Sequence, residues 1–139
     1  MIIISHRGNL NGPNPELENN PSQILNALAK GYHVEIDVWC VDNQWFLGHD
    51  EPQYSIPKYF LFNDHLWCHA KNIEALDKMS SPNINYFWHD KDQYTLTSKN
   101  YIWCNLNYYN KNGIILDFSP NPIKRECLGM CLDYPEQLN

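Results

Sequence analysis

The sequence lacks any apolar run close to the length of a membrane-spanning helix. Its N-terminal apolar stretch, residues 2–4, contains only three residues after Met1, whereas a helix that crosses a bilayer needs about 18 or more. No basic residue precedes this stretch, so the N-terminus does not have the pattern of a secretory signal peptide. We therefore expect no membrane insertion.

Paired cysteines are also missing. There are five cysteines, an odd number, and no two of them have C-x-x-C spacing. Cys127 and Cys131 lie four positions apart, with no second Cys or His cluster to complete a metal site. A disulfide framework or a zinc knuckle is not indicated. The pattern is typical of reduced thiols, and together with the absence of a signal peptide it predicts a cytoplasmic protein.

Positive charge is scarce. Ten Lys and Arg residues stand against sixteen Asp and Glu residues, which gives a net charge of −6. This balance argues against a protein that binds polymeric nucleic acid through a basic face. The 43% hydrophobic and 19% charged content of the 139 residues is that of a folded globular chain, and the length fits a single domain over residues 1–139. The sequence does not indicate an oligomeric state.

Hydrophobic patterning predicts eight short strands and two helices. The helices are expected after Asn20-Pro21 and after Asn72, because both sites have the features of a helix N-terminus. Residues 51–64 contain two prolines and are expected to form a loop with a helical turn. The strands are expected at residues 2–5, 32–40, 45–48, 65–69, 84–88, 101–104, 113–118 and 128–132.

Polar or ionisable residues follow almost every predicted strand. In a β/α barrel the carboxyl ends of the strands share one face, and the active site lies there. A full barrel takes roughly 250 residues, so a 139-residue chain would have most of its outer helices shortened or missing. The fold class predicted on this ground is α/β, as a reduced TIM-like (β/α)8 barrel. The alternative is that strands generally end in polar residues before loops.

Three short segments carry the residues best suited to chemistry. They are His6-Arg7-Gly8 after the first strand, Glu35-Ile36-Asp37 within the second, and His49-Asp50 after the third. Two histidines supply a proton donor and a proton acceptor near neutral pH. Two carboxylates at i and i+2 of a strand face the same way and can hold a hard cation together. An arginine matches the geometry of phosphate oxygens.

These segments, in this order and with this spacing, resemble the glycerophosphodiester phosphodiesterase family, whose barrel is similar to that of the phosphatidylinositol phospholipases C. The resemblance covers residues 2–50 well and residues 67–72 more weakly. It rests on His6-Arg7-Gly8, Glu18-Asn19, Val34-Glu35-Ile36-Asp37-Val38, Gly48-His49-Asp50 and Cys68-His69-Ala70-Lys71.

The resemblance implies a role for each matching residue. His6 and His49 would be the acid-base pair, and Glu35 and Asp37 would be metal ligands. The phosphate would contact Arg7 and Lys71, and the pair Glu18-Asn19 would support the site. His69 stands where the family carries a third carboxylate ligand, so it is the third expected metal ligand.

The expected cofactor is one divalent cation, Mg²⁺, Ca²⁺ or Mn²⁺. Zn²⁺ is added to these because an imidazole at His69 suits metals that accept nitrogen. The chain is much shorter than usual members of the family. His89, Asp117 and Asp133 lie at the ends of predicted strands but belong to no motif. We expect no role in the site for His89, and structural ion pairing or helix-like capping for Asp117 and Asp133.

The predicted function is therefore metal-dependent cleavage of a small-molecule phosphodiester by a phosphoric diester hydrolase. Two alternatives stay open: a catalytically silent protein that binds phosphorylated metabolites, and a phosphomonoesterase acting on small esters. Retention of both histidines argues against the silent protein, because binding alone needs no acid-base pair. The sequence does not identify the alcohols of the substrate. It also leaves open whether water or a neighbouring hydroxyl is the nucleophile.

Overall fold

The computed structural model describes residues 1–139, and short apolar segments form most of its regular structure. The helices are α1 (Pro21–Ala29) and α2 (Ile73–Lys78), and 3-10 turns occupy Lys58–Phe62 and Pro135–Gln137. The strands are β1 (Ile2–His6), β2 (His33–Val41), β3 (Gln44–Leu47), β4 (Tyr54–Ile56), β5 (Leu66–Ala70), β6 (Tyr86–Phe87), β7 (Tyr94–Leu96), β8 (Ile102–Cys104), β9 (Ile114–Asp117) and β10 (Gly129–Leu132).

Both predicted helix starts are confirmed. The Asn20 side chain accepts a hydrogen bond from the Ser22 amide, and Asn72 accepts one from the Ala75 amide. Asn72 also accepts from the backbone N–H of Cys40 and donates to the Cys40 carbonyl, at 3.1 and 2.7 Å. This one amide therefore caps α2 and ties it to β2.

The ten strands form one mixed sheet. Seven of them run parallel to their neighbours in the order β6-β5-β2-β1-β10-β9-β8, while β3 pairs antiparallel with β2, β4 with β3, and β7 with β8. The turn between β2 and β3 consists of Asp42 and Asn43, both with positive φ, 52° and 64°. Two central residues with positive φ match the twist of a two-residue hairpin.

The prediction of a reduced (β/α)8 barrel is wrong. Only β1 and β5 are followed by an α-helix, and these helices have nine and six residues. Three strand pairs are antiparallel, which an all-parallel barrel does not contain. A further error is that β4 and β7 were not predicted as strands. The physical reason is chain length: the connections are too short for helices, and hairpins need far fewer residues than β-α-β crossovers.

The two faces of β2 have different surroundings. Val34, Ile36 and Val38 belong to a cluster of 16 buried apolar residues that includes residues of α1, α2 and β5. Glu35 and Asp37 alternate with them and therefore project from the opposite face. A second, six-residue cluster around Trp67 and Trp103 includes residues of six different strands. The alternation thus places two carboxylates on the face opposite to the helices.

No helix of the structure combines the length and the apolar character needed to cross a membrane.

His33, at the start of β2, is held in its neutral form. Its Nδ1 accepts a hydrogen bond from Trp67 Nε1 at 3.1 Å, and its ring stacks on that of His65 with centroids 4.2 Å apart. Burial, together with the neighbouring His65, lowers the pKa of His33 from 6.5 to about 4. Protonation of His33 would remove the lone pair that Trp67 uses.

This environment predicts a specific dependence of stability on pH. Because the pKa of His33 is lower in the folded than in the unfolded state, the unfolded chain binds more protons between pH 6.5 and 4, and stability falls as the pH decreases through this window. Other acid-sensitive groups contribute to the wild-type curve, so the informative quantity is the difference from His33→Gln, whose amide oxygen can still accept from Trp67. We expect this variant to lose less free energy of unfolding between pH 7 and pH 4. Parallel curves, measured by urea unfolding at a series of pH values, would contradict the assignment.

Candidate metal and acid-base site

A cavity of about 380 Å³ opens where the parallel strands end. The seven residues predicted as site residues all line it: His6, Arg7, Glu35, Asp37, His49, His69 and Lys71. Its lining also contains residues that sequence analysis did not select for the site: Phe87, His89, Asp90, Trp103, Asn105, Leu106, Leu116 and Phe118.

Glu35, Asp37 and His69 form a compact group of ligand atoms. One ligand atom from each residue lies within 4.8 Å of the other two. The strand register explains this proximity, since Asp37 on β2 is the direct partner of His69 on the parallel strand β5. Glu35 lies two residues before Asp37 and shares its face. Two carboxylate oxygens and one imidazole nitrogen are a ligand set that divalent cations accept.

The proton position on His69 favours metal binding. Its Nε2 lies 2.9 Å from the carbonyl oxygen of His89, and a carbonyl can only accept, so Nε2 carries the proton. In the neutral ring Nδ1 is then a lone pair, 3.2 Å from Asp37 Oδ1 and 3.7 Å from Glu35 Oε2. A lone pair that faces two carboxylates is unfavourable unless a cation or a proton lies between them. Metal-binding histidines are commonly oriented in this way by a backbone carbonyl.

The buried carboxylate of Glu35 lacks a full set of polar partners. Only 3% of its surface is exposed, and its buried Oε1 has no hydrogen-bond partner. Burial, and secondarily the charge of Asp37, raises the pKa of Glu35 well above its ordinary value. An unpaired buried carboxylate costs several kcal/mol. A cation at this position would supply the missing partner, so the donor set of Glu35, Asp37 and His69 fits a divalent metal.

Asp37, by contrast, has several polar partners. Its Oδ2 accepts from Asn19 Nδ2 at 2.9 Å and lies 3.1 Å from Arg7 Nε, while its own amide donates to Asn19 Oδ1. Burial alone would raise the pKa of Asp37, but the positive charge of Arg7 helps to hold it well below its usual range. Asn19 is fully buried and has a φ of 64°. This backbone conformation of the first loop places the Asn19 amide against Asp37.

Arg7 lies between several site residues. Besides Asp37, its guanidinium contacts Glu18 Oε1 through Nη1 at 3.0 Å and His49 Nδ1 through Nη2 at 2.7 Å. Both terminal nitrogens thus make hydrogen bonds within the protein, while the buried Nε contacts Asp37 only as an ion pair. Lys71, which also lines the cavity, takes part in no side-chain hydrogen bond or ion pair of the structure, so it is the freer of the two predicted phosphate-binding cations.

His6 is oriented by a carboxylate. Its Nδ1 lies 2.8 Å from Asp133 Oδ1, and its ring stacks on Phe118 with centroids 4.4 Å apart. Because a carboxylate accepts, the proton of the neutral ring lies on Nδ1 and is donated to Asp133. The Nε2 atom is then left with a lone pair, 3.8 Å from Glu35 Oε1. Burial would raise the pKa of Asp133, but the hydrogen bonds that it accepts from His6 and Asn9 lower it.

His49 has the opposite tautomer. An Arg7 Nη2–H can only donate, so the His49 Nδ1 that it contacts accepts and the neutral ring carries its proton on Nε2. The preceding Gly48 makes this position possible, because a Cβ there would lie 2.0 Å from the Glu51 carbonyl oxygen. The Gly48 carbonyl accepts from Trp39 Nε1 at 2.6 Å, which anchors the turn to β2. The site thus contains one histidine poised to accept a proton and one poised to donate.

Three residues of the site were underestimated from the sequence. Asp133 accepts a hydrogen bond from the ring of His6. His89 lines the cavity and provides the carbonyl that orients His69. Phe118 supports the His6 ring. The one available signal was that all three lie at or just after predicted strands. Asp117, by contrast, caps its own turn through Ser119.

Comparison of the chain with protein-family models, with curated proteins and with solved structures finds no match. The geometry of the site is therefore the basis for assigning a function.

Proposed function

We propose that this protein is a metal-dependent phosphodiesterase that acts on a small phosphodiester, with His6 as general base and His49 as general acid. The observation that carries the proposal is the group Glu35, Asp37 and His69, whose ligand atoms converge without a sufficient positive partner. It lies between two histidines with opposite tautomers. The ordered resemblance of residues 2–50 to the glycerophosphodiester phosphodiesterase family supports the same reaction.

The charge of the site suits a phosphate bound together with a divalent cation. The carboxylates of the site outnumber its two cationic side chains, Arg7 and Lys71; they are those of Glu18, Glu35, Asp37, Asp90 and Asp133. A divalent ion held by Glu35, Asp37 and His69 would offset this negative excess and supply the positive charge that polarises a phosphoryl oxygen. Lys71, whose ammonium group is free, is suited to neutralise another phosphoryl oxygen.

His6 is the better base. Its Nε2 is a free lone pair, and Asp133 on the opposite nitrogen stabilises the imidazolium that forms when His6 takes a proton from the nucleophile. The nucleophile, water or a hydroxyl of the substrate, then forms a new bond to phosphorus. A carboxylate on the far nitrogen of a catalytic histidine has the same effect in other enzymes.

His49 is the better acid. Its Nε2 carries a proton in the tautomer imposed by Arg7, and 44% of its side chain is exposed, so it can reach an ester oxygen. As the bond between phosphorus and the leaving oxygen breaks, that oxygen takes the proton from Nε2. The Arg7 guanidinium, whose Nη2 donates to His49 Nδ1 at 2.7 Å, holds the ring in place.

The first prediction about the site concerns metal binding. Titration calorimetry with Mn²⁺, Mg²⁺, Ca²⁺ and Zn²⁺ should detect one bound ion per chain. Glu35→Gln and Asp37→Asn should each weaken metal binding by at least about 100-fold, because each removes a charged ligand, whereas the loss of a residue that only orients a ligand typically weakens binding by about 10- to 100-fold. In a chelator, Glu35→Gln should raise the melting temperature, because it removes an unpaired buried carboxylate. The exposed Asp64→Asn is the control. No ion bound by the wild type, or unchanged binding in both variants, would refute the site.

The second prediction concerns the two histidines. His6→Ala and His49→Ala should each reduce turnover of a diester by roughly 100-fold or more, the usual scale for a general acid or base, while the exposed His65→Ala should leave turnover unchanged. The two losses should differ with the leaving group. With a p-nitrophenyl diester, whose leaving group needs no protonation, the His49→Ala defect should shrink and the His6→Ala defect should persist.

Near-normal diester turnover in both variants would contradict the assignment. Faster cleavage of a matched monoester than of the diester by the wild type would favour a phosphomonoesterase. Product analysis in ¹⁸O-labelled water distinguishes hydrolysis from formation of a cyclic phosphate.

The third prediction concerns the choice of metal. A neutral imidazole at His69 leaves the ligand set with two negative charges, which disfavours Mg²⁺ and Ca²⁺ relative to Mn²⁺ and Zn²⁺. His69→Glu should shift the preference toward Mg²⁺ and Ca²⁺ in both affinity and activity. An identical ranking of the four ions in wild type and variant would place His69 outside the coordination shell.

A further inference from the structure

The connection between β6 and β7 forms a small turn at the rim of the cavity. Its residue His89 contributes the carbonyl oxygen that accepts from His69 Nε2 at 2.9 Å. The His69 ring also lies parallel to Phe87 at the end of β6, with centroids 5.2 Å apart and an interplanar angle of 7°. The ring plane and the proton of His69 are therefore set by this one segment of chain.

Asp92 holds the turn in shape from within. Its Oδ2 accepts from His89 Nδ1 at 2.9 Å, and its Oδ1 accepts from the backbone N–H of Asp90 at 2.8 Å. One bond holds the His89 side chain, and the other holds the Asp90 amide nitrogen, which is bonded to the His89 carbonyl carbon. Together they restrict the direction in which the His89 carbonyl points. Asp92 does not line the cavity, so it acts on the site only through the turn.

The direction of this carbonyl matters because His69 has a competing arrangement. If the His89 carbonyl moved away, the His69 proton could transfer to Nδ1 and be donated to Asp37 Oδ1, now 3.2 Å away. That tautomer would satisfy Asp37 internally and remove the lone pair that a metal needs. The hydrogen bond to the His89 carbonyl is what disfavours it, since it stabilises the proton on Nε2.

We infer that Asp92 is a positioning residue for the metal site: by fixing the His89 carbonyl it keeps the His69 proton on Nε2 and the Nδ1 lone pair available as a ligand. The inference rests on the metal site of the proposed function. Groups that orient metal-binding histidines typically change metal affinity by about 10- to 100-fold when they are removed, and we expect Asp92→Ala to weaken binding of Mn²⁺ by that factor.

The experiment has two arms. In the first, Mn²⁺ affinity is measured by calorimetry for the wild type, Asp92→Ala, Asp92→Asn and the exposed control Asp64→Ala. Asp92→Asn keeps one side-chain oxygen and should accept one of the two hydrogen bonds. The Mn²⁺ affinity of this variant should therefore lie between those of the wild type and Asp92→Ala. The control should bind as the wild type does. In the second arm, long-range ¹H–¹⁵N NMR of the metal-free proteins reports the tautomer of each of the six histidines, with His69 identified by its loss in His69→Gln.

The expected result is an Nε2-protonated His69 in the wild type and a rise in the Nδ1-protonated form in Asp92→Ala, together with the weaker binding. Unchanged affinity in Asp92→Ala, or weaker binding with an unchanged His69 tautomer, would overturn the inference, because the second result indicates a purely structural role. If the wild type itself binds no metal, the proposed metal site fails, and the NMR arm still decides whether Asp92 sets the tautomer.

Discussion

The burial of two carboxylates on one face of β2 is the constraint on which the site depends. Glu35 and Asp37 are 3% and 1% exposed, on a strand whose other face belongs to the main apolar cluster. Two negative charges in such a place repel each other and are poorly solvated, so the surrounding structure must supply positive charge and hydrogen bonds. Asp37 receives both from Asn19 and Arg7, whereas Glu35 retains an oxygen with no partner.

The histidines around these carboxylates are ordered by a common device. Each ring has one nitrogen engaged by a group that can act in only one way: the Asp133 carboxylate on His6, the Arg7 guanidinium on His49 and the His89 carbonyl on His69. Acceptors leave a lone pair on the free nitrogen, and the donor leaves a proton there. Two of these three identical side chains, His6 and His69, thereby present a lone pair to the cavity, and the third, His49, presents a proton.

The strand-based part of the site was accessible from the sequence. Alternation of apolar and acidic residues in β2 predicts that Glu35 and Asp37 share a face, and the apolar residues before His6 predict that it ends a strand. Local patterns of this kind depend only on the side-chain periodicity of a strand. The fold class was not accessible in the same way. It depends on how segments pair across the sheet, and this pairing produces the antiparallel hairpins and the edge strands β4 and β7, with few helices.

The sequence by itself determined which residue types are available, that Glu35 and Asp37 share a strand face, and that His6, His49 and His69 lie at or just after the ends of strands. Only the tertiary structure decided what these residues can do. The register of β2 against β5 brings Asp37 opposite His69. Contacts from distant segments decide which nitrogen of each imidazole carries the proton, as Asp133 does for His6 across 127 positions of sequence. Such contacts leave no periodic trace, because a hydrogen bond between remote segments requires only one suitable side chain at each end.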